Sequence, residues 1–65
     1  MVKVRDLLRR LAEDGWTVVR QRGSHRQLQH ATKAGTVTVP GHPSDTLPAG
    51  THMNIVAQAK LEDRR

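Results

Sequence analysis

Val4, Leu7, Leu8 and Leu11 recur at the i, i+3, i+4, i+7 spacing of one helical face. That stripe predicts a helix over residues 3–14, with Lys3, Arg5, Arg9, Arg10 and Glu13 on its other sides. Gly15 stands where a helix ends in a left-handed conformation. Trp16 follows it and is expected to fold back as the largest piece of core. The period then changes to two. Residues 17–22 and 25–30 flank Gly23 and Ser24, and Gly first in a two-residue connection signals a type II′ hairpin. A hairpin closed there sets Arg22 opposite His25, Arg20 opposite Gln27 and Val19 opposite Leu28. Cross-strand neighbours share a face. Val19 and Leu28 therefore form one apolar face, and Arg20, Arg22, His25, Gln27 and Gln29 the other, with Val18 near its end.

Residues 31–35 read as a short loop. Residues 36–39 alternate Thr and Val, with Val37 and Val39 inward, and Pro40 ends the strand. Residues 41–47 read as a polar loop. Pro48 suits the first turn of a second helix, expected to run to about Leu61 with Ile55, Val56 and Ala59 inward. The predicted fold class is α+β, in the order α-β-β-β-α. Three antiparallel strands carry both helices on one face, because each helix has a single apolar stripe and the sheet a single apolar side. Residues 1–65 are expected to form one domain, with Leu7, Leu8, Leu11, Trp16 and Ile55 among its most buried side chains.

Composition narrows the function. With 65 residues and no Phe, Tyr or Cys, the core is thin and aliphatic, and disulfide scaffolds, zinc ribbons and cysteine nucleophiles are excluded. A reducing cytoplasm suits such a chain, which has neither a signal-peptide pattern nor an apolar run long enough for a membrane span. Eleven Lys and Arg against six Asp and Glu leave a formal charge of +5, which favours a polyanionic partner. Residues 15–44 hold Arg20, Arg22, Arg26 and Lys33 and no acid. The anion is expected to meet that middle third.

Four histidines are the obvious reactive groups. No His-Glu-x-x-His motif is present, and His25 and His30 are an odd number apart, so a strand sends them to opposite faces. No metal or other cofactor is expected. His30, His42 and His52 read as structural or solvated, and Ser24 lacks a catalytic triad. His25 differs in its setting, at the end of the hairpin with Arg22 opposite and Arg20 one rung away. Neighbouring positive charge favours the neutral imidazole. A neutral imidazole among guanidinium groups suits attack by an RNA 2′-hydroxyl on its own phosphate: the ring takes the proton and the arginines stabilise the phosphorane. An ordinary surface histidine remains the alternative.

Gly15-Trp16 after a short amphipathic helix, Arg22-Gly23-Ser24-His25 at the hairpin, the Gly35–Pro40 strand, and Leu47-Pro48-x-Gly50-Thr51 ahead of Gln58-Ala59-x-Leu61 together resemble the HicA toxins. These pieces occur in order along nearly the whole chain. The resemblance implies an mRNA-cleaving toxin with a double-stranded-RNA-binding-domain-like fold, neutralised by a HicB antitoxin, and a catalytic role for His25. Such a protein is a cytoplasmic endoribonuclease that inhibits translation and growth. Arg20, Arg22, Gly23, Ser24, Arg26 and Lys33 are then the expected RNA contacts. The chain departs from the family's usual pattern at His52-Met53, where Leu-Arg is common, and at Lys60, where Gly is common. Two other readings stay open: a non-catalytic RNA-binding module on the same basic face, and a protein-interaction unit that docks an acidic partner.

Overall fold

The computed structural model describes residues 2–61. Its elements are β1 (Val2–Lys3), α1 (Val4–Asp14), β2 (Trp16–Arg22), β3 (His25–His30), β4 (Thr36–Val39), β5 (Thr46–Leu47) and α2 (Ala49–Ala59). β2, β3 and β4 form an antiparallel sheet with β3 in the centre. β1 and β5 make a separate two-residue ladder, Val2 opposite Leu47 and Lys3 opposite Thr46. The α+β class and the order helix, three strands, helix agree with the sequence reading.

The core shows why both helices share one side of the sheet. Val4, Leu7 and Leu11 of α1 and Ile55 and Ala59 of α2 are buried with Trp16, Leu28, Val37, Val39 and Leu47. Trp16, Leu28, Val37 and Val39 lie on one face of the three-stranded sheet by alternation, and that is the only apolar face this sheet has. Leu8, expected in the innermost set, packs against the cluster but stays partly exposed. An eleven-residue helix turns only part of its surface to one thin sheet, and Leu7 and Leu11 fill that stripe.

The hairpin register differs from the expected one at a single point. Arg22 pairs with His25 and Arg20 with Gln27, as read from the sequence, and Gln21 stands between them opposite Arg26. The register then shifts, and Val18, not Val19, stands opposite Leu28. Val19 is 55% exposed and outside the core. The cause is parity. Trp16, Arg20 and Arg22 are an even number apart, so an unbroken strand would send all three to the same face. The extra residue of the bulge flips that parity, which lets Trp16 pair with His30 on the helix side while Arg20 and Arg22 keep the open side.

The ends of the helices are set by the loops. α1 has no side-chain N-cap; the amides of Val4 and Arg5 instead donate to the carbonyls of Asp45 (2.9 Å) and Pro43 (3.0 Å). The segment expected to be only a polar loop therefore caps α1 and contributes β5. Asp45 steadies it by accepting the His42 amide at 2.9 Å. α2 ends at Ala59, two residues short of the expected Leu61, because Lys60 takes a left-handed conformation (φ 51°) that closes the helix through amide bonds from Lys60 and Leu61.

Candidate nucleic-acid interface

The hairpin tip is built by its turn. Gly23 has φ of 57°, while Ser24 is outside the positive-φ region. That is the type II′ pattern, in which only the first turn residue needs the left-handed backbone. The turn closes the pairing of Arg22 with His25, so these side chains stand on one face at hydrogen-bonded-pair spacing, with Cα atoms about 5.5 Å apart. Arg20 and Gln27 form the next rung on that face. Arg20, Arg22, His25, Gln27 and Gln29 are all exposed, opposite the side on which Leu28 is buried.

The three charged or titratable groups of this face are uncommitted. Among the described residues, Arg20, Arg22 and His25 make no side-chain hydrogen bond or ion pair within the chain. Two unpaired guanidinium groups beside one imidazole form a compact cationic patch. Such a patch binds phosphate through charge-assisted bonds, and its imidazole can accept or return a proton.

The other cations of the middle third are placed differently. Arg26 faces the helix side, opposite the buried Val39, and donates to the Gly41 carbonyl at 3.2 Å. Lys33 donates to the Asp14 carboxylate at 2.6 Å and to the carbonyls of Ala59 (3.2 Å) and Lys60 (2.9 Å). It ties the C-terminal ends of α1 and α2 to the β3–β4 loop. The Lys33 hydrogen bond holds the Asp14 carboxyl below its ordinary value, against the opposing pull of partial burial. The structure thus gathers Arg20, Arg22, Gly23, Ser24 and His25 at one tip and commits Arg26 and Lys33 to loop and helix ends.

His30 is structural, as its sequence position suggests. Its Nδ1 accepts from the amides of Thr32 (3.0 Å) and Lys33 (3.1 Å). Those contacts assign the proton to Nε2, which donates to the Asp14 carbonyl at 2.6 Å. The ring also meets Trp16 edge to face, with centroids 5.3 Å apart. His42 is exposed in the loop that caps α1, and His52 lines a groove on the helix side with Met53, Val56 and Leu61. Among the described residues no three His, Cys, Asp or Glu side chains converge as metal ligands. No helix there is long and apolar enough to cross a membrane.

A family model described as the HicA toxin of bacterial toxin–antitoxin systems matches residues 4–61. The chain belongs to the HicA toxin family. No curated protein matches the sequence closely. The match extends from the first residue of α1 to the residue that closes α2, so it takes in the bulge, the hairpin tip and both helix ends. Membership makes this chain the toxin half of a toxin–antitoxin pair, with an antitoxin as its partner. The sheet of this chain has one face open, away from both helices, and that face carries the uncommitted arginines and His25.

Proposed function

We propose that this HicA-family toxin is a metal-independent endoribonuclease that cleaves mRNA in the cytoplasm with His25 as its catalytic residue. One observation carries the reading: His25 stands directly across from Arg22 and one rung from Arg20 on the open face, with none of the three engaged within the described chain. The arginines hold the scissile phosphate. His25 accepts the proton of the neighbouring 2′-hydroxyl as its oxygen bonds to phosphorus. The bond from phosphorus to the 5′-oxygen breaks, and that oxygen receives a proton, leaving a 2′,3′-cyclic phosphate and a 5′-hydroxyl. Charge on the phosphorane falls to the guanidinium groups. Acid–base assistance of this kind contributes about 10²–10⁴-fold, so a site with one such group is a modest enzyme. A HicB-type antitoxin with an acidic surface would silence the toxin by covering this face.

The test compares the parent protein with His25→Ala on one RNA in the presence of a chelator, after matched thermal melts. The parent is expected to cleave and the variant only to bind, since Arg20 and Arg22 remain. A deoxy substitution at the scissile nucleotide should block the parent. Equal cleavage by the two proteins would remove His25 from the mechanism and leave an RNA-binding module on the same face.

A further inference from the structure

The turn that presents His25 is itself held by a side chain from the other face. Gln21 pairs with Arg26 and so points to the helix side of the hairpin, opposite Arg22 and His25. Its Nε2 donates to the Gly23 carbonyl at 3.1 Å. That bond draws the Gly23 carbonyl toward the helix side. The Gly23–Ser24 peptide is trans, as are all the peptide bonds of the described residues, and in a planar trans unit the N–H points opposite to the C=O. The Ser24 amide is therefore aimed at the open face. Among the described residues it has no acceptor within the chain. A free backbone donor thus emerges between the two strands beside Arg22 and His25.

We propose that Gln21 is a positioning residue, which fixes the Gly23–Ser24 peptide so that the Ser24 amide donates to the phosphate held by Arg22 and attacked beside His25. This rests on the ribonuclease reading above and extends it to a residue on the opposite face. Without the Gln21 bond the central peptide of the turn can rotate between II′ and neighbouring turn types, which turns the amide away. Gly23 makes such rotation easy, because its φ of 57° is accessible to glycine with several values of ψ and nothing lies within 4 Å of where its Cβ would be.

The test uses Gln21→Met, which keeps length and charge but removes the donor, and Gln21→Asn, which is one methylene too short to reach. Losing a preorganised donor to a developing oxyanion costs about 10²–10³ in kcat, and a turn that still visits the right state loses less, so a fall of roughly tenfold is expected. KM should hardly move, because Arg20 and Arg22 still bind the RNA. The second readout is the Ser24 amide proton in NMR spectra during titration with a 2′-O-methyl RNA oligonucleotide, which cannot be cleaved. In the parent it should shift downfield on binding, and in both variants that shift should shrink while resonances in α1 and α2 stay in place. Parent-like kcat and an unchanged Ser24 shift in the variants, with His25→Ala inactive, would overturn the role of Gln21 alone. Parent-like cleavage by His25→Ala would instead bring down the ribonuclease reading beneath it.

Discussion

A Cβ placed on Gly15 would lie 2.8 Å from Nε2 of His30, the nitrogen that donates to the Asp14 carbonyl. Gly15 has φ of 110° at the end of α1, so backbone conformation and close approach both demand glycine there. Gly15→Ala is expected to destabilise the fold by more than the roughly 1–2 kcal/mol of a left-handed residue alone, because His30 must also move. Urea unfolding checks this, and a parent-like midpoint would show that the α1–β2 junction relaxes freely.

Lys60 presents the opposite case. It adopts φ of 51° and ψ of 43° as a non-glycine residue, in a conformation that L residues occupy at a cost of about 1–2 kcal/mol. Lys60→Gly should raise stability by about 1 kcal/mol. Its backbone carbonyl, which accepts from Lys33, is retained in the variant. A melting temperature that stays level or falls would mean that the flexibility gained in the unfolded chain offsets the relief of strain.

The bond from Lys33 to Asp14 makes stability depend on acidity in a defined window. The Asp14 carboxyl is lowered from 3.8, first by the Lys33 hydrogen bond. A group with a depressed folded value stabilises the native state above its unfolded value, and that contribution is lost as pH falls through the folded one. Lys33→Met should therefore be less stable than the parent near neutral pH, with the difference narrowing below about pH 4. Denaturant midpoints of both proteins at pH 7 and pH 3 provide the comparison. A constant difference would assign the effect to the carbonyl contacts of Lys33 rather than to Asp14.

Arg20 and Arg22 should govern encounter with polyanions. Reversing both to Glu changes the formal charge from +5 to +1 and places two acids beside His25. RNA binding should weaken strongly, and the dependence of log Kd on log salt should flatten in proportion to the phosphates that are no longer neutralised. Association with the antitoxin should slow in low salt if its surface is acidic. Filter binding and stopped-flow association across a salt series measure both. An unchanged salt slope for RNA would place the phosphate-binding surface away from the hairpin.

Much of this organisation is legible in the residue order, because it depends on local periodicity. The leucine stripe of α1, the Gly23-Ser24 turn, the pairing of Arg22 with His25 and the Thr-Val alternation of β4 each follow from neighbours a few positions apart. Tertiary structure decided what depends on long-range competition. The bulge at Val19 arises because Trp16 and the two arginines share strand parity but need opposite faces. That conflict is visible in the spacing of Trp16, Arg20 and Arg22; where the strand breaks to resolve it is set by packing against α1 and Leu28. The β1–β5 ladder and the capping of α1 by the carbonyls of Pro43 and Asp45 join segments about forty residues apart, and two-residue strands leave no periodic trace. Charge alone made Arg26 and Lys33 equivalent to Arg20 and Arg22. Only the fold brought the Gly41 carbonyl to Arg26, and Asp14 with the end of α2 to Lys33, because a cation near unsatisfied carbonyls or a carboxylate takes them as partners in place of solvent.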